Sequence, residues 1–205
     1  MKKKITILPG DGIGKEVTAS GKKVLEQIGD CFGHEFIFDY AAIGHEAIET
    51  TGNPLPDETL KKLKSCDAIL FGAVGHPKYD NDPSAKVRPE QGLLKMRKEL
   101  GLYANLRPIK LFDELLGASS IKPEILKSAD ILFFRELTGD VYFGERGRKD
   151  DNNTAYDTMI YSRYEVERIA HKAFKAAQTR NKKVTSVDKA NVLESSRLWR
   201  EVVQE

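Results

Sequence analysis

The sequence predicts an α/β fold in two domains, and three observations carry that expectation. Short β-rich runs alternate with helical runs from one end of the chain to the other, the pattern of layered α/β proteins. Two apolar strands end in glycines just where the chain must turn, at Pro9–Gly14 and at Gly72–Gly75. The 205 residues suffice to bury a real core in one or two domains. Gly101 and Pro108 bracket a change of character, which divides the chain into a first domain over 1–102 and a second over 103–205.

Taken in order, Ile5–Leu8 is a first strand, and Gly14 to about Ile28 is a helix with Val17, Val24, Leu25 and Ile28 on one face. Glu35–Ala42 is a second strand. Asp57–Ser65 follows Pro56 as a short helix, and Ala68–Val74 is apolar nearly throughout, as buried parallel strands are. Pro89 opens a helix that Gly101 closes, since proline suits a first turn and glycine a left-handed stop. Tyr103–Leu111 is extended. The run Ile131-Leu132-Phe133-Phe134 within Asp130–Glu136 predicts a core strand. Residues 139–161, rich in Gly, Asp, Asn and Tyr, predict hairpin-like strands or a protruding arm. Tyr164–Thr179 is an amphipathic helix, Val184–Val187 a strand, and Val192 onward a helix with Leu198, Trp199, Val202 and Val203 on one face. That helix reaches Glu205 without a Gly, Asn or Pro stop, so the chain is expected to continue and both domains to be incomplete.

Composition narrows the function classes. Lys plus Arg number 33 against 31 acids, a net charge of +2 that asks for neither nucleic acid nor an anionic membrane. Two cysteines, Cys31 and Cys66, make no CxxC and argue against a disulfide framework. Pro9-Gly10 cuts the first apolar run too early for a signal peptide, and no stretch approaches the ~20 apolar residues of a membrane helix. A cytoplasmic protein is expected.

Several segments carry chemistry. Pro9-Gly10-Asp11-Gly12-Ile13-Gly14 joins a strand to a helix start, where backbone N–H groups favour a negative ligand. Its spacing is not the GxGxxG of a Rossmann turn, and a tight turn around a buried Asp11 fits equally. Gly72-Ala73-Val74-Gly75-His76-Pro77 is a second glycine-bearing strand end, where open α/β folds bind ligands. His76 there suits a ligand or a base, though a lone loop histidine is more often neither.

Glu90, Leu93, Leu94 and Arg97 share one helix face by their spacing. That face is either a mixed pocket wall or a core face with charged edges. Arg107 follows Asn105-Leu106, and Arg135 follows Phe133-Phe134, a costly place for a charge unless it is paired. Arginine forks suit a dicarboxylate; alternatively each pairs with a local acid such as Glu136. Lys189, in Ser186-Val187-Asp188-Lys189-Ala190-Asn191-Val192, and Tyr142, in Gly139-Asp140-Val141-Tyr142, are residue types able to move protons at neutral pH.

Together these segments resemble the isocitrate/isopropylmalate dehydrogenase family. PGDGIG, GAVG, RPEQGLLKMRKELGLYANLRP, FFRELTGDVYFGERG and SVDKANVLESSRLWR stand here in that family's order and spacing, end to end. The resemblance implies two α/β domains around a cleft, not a Rossmann fold. It implies oxidation of a 2-hydroxy acid by NAD or NADP with a divalent metal, Mg²⁺ or Mn²⁺, and loss of CO₂. It implies that Arg97, Arg107 and Arg135 clamp the substrate's carboxylates, and that Lys189 takes the hydroxyl proton in the partner subunit's site of a homodimer. Tyr142 would protonate the enol. Ile13, Gly75, Glu90 and Asn191 would lie in the cofactor site.

The family's isocitrate enzymes place a serine and an asparagine where this chain has Gln91 and Leu93. Leu93 and Leu94, with Val192 of the partner chain, would instead form an apolar wall beside Glu90. That wall favours isopropylmalate over isocitrate and implies leucine biosynthesis. Homoisocitrate, tartrate and D-malate are the rival substrates. The family's metal-binding aspartates and adenosine loop are expected beyond Glu205, so no metal ligand is expected within these residues. The rival from another class is a non-catalytic dimerising fragment built on residues 139–205.

Overall fold

The computed structural model describes residues 1–82, 84–127 and 129–205, and these divide into two compact units, Met1–Gly101 and Leu102–Glu205. In the first unit β1 (Lys2–Gly10) lies between β2 (Glu35–Tyr40) and β3 (Ala68–Ala73), all parallel, with Ile5 opposite Phe38 and Ala68. β1 is central, so Ile5, Thr6, Ile7 and Leu8 are all buried, as a parallel strand covered on both sides requires. Leu8 joins Ile43, Leu55, Leu63 and Met96 in the core, with Leu60, Ile69, Phe71 and Leu93 packed on it. α3 (Asp57–Lys64) and α5 (Pro89–Glu99) supply Leu60, Leu63, Leu93 and Met96 to that packing, and α2 (His45–Thr51) and α4 (Pro77–Asp80) also come after β2 in this unit.

The first helix, α1 (Gly14–Phe32), corrects the expected face. Its buried positions are Gly14, Thr18 and Gly29, whereas Val17, Val24 and Ile28 are exposed, Val24 by 59 %. The reason is close approach: a Cβ on Gly14 would stand 2.1 Å from Pro9 O, and one on Gly72 2.3 Å from the same oxygen. Small residues let the helix backbone sit on β1 and β3, and the apolar stripe beside them turns outward. β3 is also less buried than expected, because it is the edge of the three-stranded sheet among the described residues.

In the second unit β4 (Ala104–Ile109) pairs antiparallel with β5 (Ile131–Glu136), Arg107 opposite Phe133 and Asn105 opposite Arg135. A 3-10 turn at Asp113–Ala118 and α6 (Pro123–Leu126) lie between them. The expectation of a core strand is half right. Leu132 and Phe134 take the more buried face, whereas Phe133 is 51 % exposed on the other. A two-stranded ladder has its second face uncovered among the described residues.

Residues 139–161 form a 3-10 turn at Asp140–Tyr142 and a hairpin of β6 (Arg146–Lys149) and β7 (Thr154–Asp157). Asp150, Asp151 and Asn152 turn that hairpin at positive φ, which Asp and Asn tolerate better than most residues. α7 (Arg163–Gln178) starts at Ser162, whose N–H donates to Glu165 Oε2 at 2.7 Å, and buries Val166 and Ile169. α8 (Glu194–Gln204) packs against α7 and buries Val202. Val184–Val187 is not a strand: it has no ladder partner among the described residues, and β-propensity without a partner makes no sheet. No helix among the described residues is long and apolar enough to cross a membrane.

Candidate functional site

In the first unit Asp11, Ile13 and Gly75 stand just beyond the carboxyl ends of β1 and β3. Asp11 N–H donates to Ala73 O at 2.7 Å, which ties the PGDGIG turn to the GAVG strand end. Ile13, at the start of α1, is exposed. Gly75 has φ +136°, and a Cβ there would stand 3.3 Å from Glu90 Oε1. Any side chain is strained at that dihedral, and a Cβ would press lightly on the Glu90 carboxylate. The expected cofactor residues Gly75 and Glu90 are therefore neighbours, though Pro83 between them lies outside the described residues. Arg88 holds the intervening segment, donating to Tyr79 O at 2.6 Å and to Asp82 O at 2.9 Å.

His76 caps the start of α4. Its Nδ1 accepts from Lys78 N–H at 3.2 Å, and its ring stacks on His45 with centroids 3.9 Å apart. On α5 Leu93 packs on the core while Leu94 and Arg97 are half-buried, so the mixed face expected from spacing divides between core and surface.

In the second unit Arg107 and Arg135 lie on one face of the β4–β5 ladder, as diagonal neighbours. Arg135 Nη2 donates to Tyr142 Oη at 3.0 Å. Asp140 opens the turn that carries Tyr142 at φ +66°, its N–H bonded to Ile160 O at 2.9 Å. The local pairing of Arg135 with Glu136 does not occur. Alternation along the strand puts Arg135 on the exposed face and sends Glu136 inward. There its carboxylate, only 1 % exposed, takes Arg168 Nη2 at 2.6 Å and the N–H groups of Thr138 and Gly139, both at 2.7 Å. The Arg168 guanidinium also lies 4.4 Å from the centre of the Tyr103 ring. No sequence signal joins Arg168 to a glutamate 32 residues away; only the fold does.

Lys189 is exposed, on a segment fastened from both sides. Asp188 takes Arg200 through Nε at 3.1 Å and Nη2 at 2.7 Å, and accepts from Ala190 N–H at 3.0 Å. The Arg200 guanidinium, helped by that amide, holds the Asp188 carboxyl below the usual carboxylate range. Arg197 Nε donates to Ala190 O at 3.1 Å. Asn191 and Val192 follow, both exposed. Nearby Tyr161 is pushed above the ordinary tyrosine range, first by burial and then by the charges of Asp140 and Glu136.

The family model for isocitrate/isopropylmalate dehydrogenase matches residues 4–205. This chain belongs to that family. It is 56 % identical to a 3-isopropylmalate dehydrogenase from Shouchella clausii, over 100 % of this chain and 57 % of that one. It is also similar to two solved structures. One is an isocitrate dehydrogenase from Methylococcus capsulatus, with TM-score 0.80 and 30 % identity over 98 % of this chain and 56 % of that one. The other is a β-decarboxylating dehydrogenase from Thermococcus kodakarensis in its apo form, with TM-score 0.70 and 32 % identity over 98 % and 53 %. The chain thus spans little more than half the length of the curated relatives it matches.

The family's two non-protein components fare differently against these residues. Among the described residues no group of three or more His, Cys, Asp or Glu side chains is placed to hold a metal. A hard cation needs several oxygens, so these residues alone do not fit Mg²⁺ or Mn²⁺. The turn before α1 can meet a negative ligand group. Gly12 is open, with nothing within 4 Å of an added Cβ, and the α1 N-terminus stands behind it.

Proposed function

We propose that the protein oxidatively decarboxylates 3-isopropylmalate to 4-methyl-2-oxopentanoate with reduction of NAD, a step of leucine biosynthesis, as a cytoplasmic homodimer that uses Mg²⁺ or Mn²⁺. The observation that carries this reading is the 56 % identity to a 3-isopropylmalate dehydrogenase along the whole of the chain. The sequence of α5 supports it: Leu93 and Leu94 are apolar side chains on that helix, and an apolar wall of the proposed pocket would leave a third carboxylate unpaired, at a high cost.

In this proposal Arg97, Arg107 and Arg135 bind the two carboxylates of the substrate. Lys189 accepts the proton of the 2-hydroxyl in the neighbouring subunit's site, and Val192 completes the apolar wall there. Bound NAD, held by Ile13, Gly75, Glu90 and Asn191, supplies the acceptor for the hydride from the hydroxyl-bearing carbon. The β-carboxylate leaves as CO₂, its bonding pair forming the enol, and Tyr142 gives a proton to the carbon that lost it. The described residues offer no cluster to hold the metal, and in this proposal the 205 residues alone make no NADH.

The experiment uses the full-length protein with 3-isopropylmalate, NAD and Mg²⁺, followed at the NADH absorbance band. Lys189→Met is expected to abolish turnover, and Tyr142→Phe to slow it by roughly 10²–10⁴-fold. Mixing Lys189→Met with Arg97→Ala restores part of the activity through mixed dimers. An active monomer, or wild-type rates in the Lys189 variant, contradicts the proposal.

A further inference from the structure

Asp11 is the most buried carboxylate of the first unit, 5 % exposed as a residue, and no ion pair reaches it among the described residues. A lone carboxylate is costly to bury unless hydrogen bonds replace its water. Here the replacement comes wholly from backbone amides. His45 N–H approaches Oδ1 at 2.9 Å and Oδ2 at 3.0 Å, and Gly75 N–H donates to Oδ2 at 3.0 Å. Asp11's own N–H goes to Ala73 O at 2.7 Å. One side chain thus holds together the end of β1, the start of α2 and the loop after β3.

The surroundings are shaped to that carboxylate. A Cβ on Gly44 would stand 2.4 Å from Asp11 Oδ2, and one on Gly10 would stand 1.9 Å from Ala73 O. Both glycines sit at positive φ, so the chain closes around Asp11 only because they carry no side chain. A carboxylate suits this arrangement: Oδ2 faces both N–H donors, and Oδ1 shares that of His45. Asparagine would lose the negative charge and, with its oxygen in the Oδ2 place, turn its NH₂ toward the His45 N–H.

The consequence falls on Gly75. Its nitrogen is fixed by Asp11, and its α-carbon side lies against the Glu90 carboxylate. We infer that Asp11 is a positioning residue for the nucleotide cofactor, setting through Gly75 the placement of the Gly75–Glu90 pair without touching the cofactor itself. This rests on the proposed assignment of Gly75 and Glu90 to the NAD site. It makes Asp11 an orienting group rather than a catalytic residue.

The test titrates NADH into the full-length protein by fluorescence, for wild type, Asp11→Asn and Gly44→Ala, on the folded pool from gel filtration. The second variant crowds the carboxylate without removing it. The KM for 3-isopropylmalate and the melting temperature are measured in parallel. Asp11→Asn is expected to raise the NADH Kd about tenfold or more, the scale of one charge-assisted hydrogen bond, with Gly44→Ala shifting it the same way. The substrate KM at saturating NAD changes much less. An unchanged NADH Kd in folded Asp11→Asn overturns the inference, as does an equal loss for cofactor and substrate, which is what a purely structural role gives. Failure of the wild type to bind NADH is a different result: it removes the cofactor assignment itself, and the inference with it.

Discussion

Arg135 Nη2 donates to the Tyr142 hydroxyl at 3.0 Å, and the guanidinium carbon lies 5.6 Å from the centre of that ring. A donor aimed at a hydroxyl oxygen strengthens as that oxygen gives up its proton, the condition for helping a transition state more than a ground state. Arg135 then has two duties in the proposed reaction, binding a carboxylate and supporting Tyr142. Lysine keeps the charge but not the planar fork. In a double-mutant cycle of Arg135→Lys and Tyr142→Phe, followed by kcat/KM in the full-length protein, the losses are expected to fall short of additivity by about 1 kcal/mol or more. Strictly additive losses would show that the pair does not act together.

Glu136 and Arg168 anchor the same region from inside. Removing Arg168 leaves a carboxylate with 1 % side-chain exposure and no cation, while Thr138 and Gly139 still donate to it. Arg168→Met is therefore expected to destabilise folding by about 3 kcal/mol, read from the denaturant midpoint. Adding Glu136→Gln to that variant recovers part of the loss. A single-variant cost below about 0.5 kcal/mol would mean the pair is not buried as described.

The Asp188–Arg200 pair makes an acid-side prediction. Arg200 lowers the Asp188 pKa in the folded state, so the pair's contribution is present above the unfolded carboxylate value and is lost as pH falls through the lowered one. Arg200→Gln is expected to lower stability at neutral pH and to converge with wild type in strong acid. Amides of residues 186–192 should exchange faster in the variant, since Asp188 fastens that segment. A stability gap constant with pH would show that Asp188 does not titrate against Arg200.

These contacts mark how far the sequence is legible. Element type follows from local pattern, so β1, α1, β5, α7 and the 146–157 hairpin could be anticipated from their own residues. The face of α1 could not, because hydrophobic periodicity finds the apolar stripe but not the glycine line that lets the helix approach β1 and β3. The likeness of five segments to one family was readable because motif order survives in one dimension. The partners of Glu136 and Asp11 were not, since they join positions 32 and 34 to 64 residues apart, and such pairing is set by topology. Val184–Val187 shows the converse, a run with strand propensity that the fold leaves unpaired.

Tyr161 gives the alkaline counterpart. Burial, then the Asp140 and Glu136 charges, raise its pKa in the folded state, so its contribution is full below the unfolded value of about 10 and is lost as pH rises past it. Tyr161→Phe is expected to flatten part of the fall in melting temperature above pH ~10. Ionisation of Tyr161 near the ordinary value, by tyrosinate absorbance, would contradict its burial.

The most direct measurement is the ratio of kcat/KM for 3-isopropylmalate to that for isocitrate, in the full-length protein with NAD and saturating Mg²⁺. In the proposed site Leu93 and Leu94 form an apolar wall without a partner for a third carboxylate, so the ratio is expected to exceed ~10³ in favour of 3-isopropylmalate, with no turnover once the metal is chelated. Comparable values for the two substrates, or a preference for isocitrate, would contradict it.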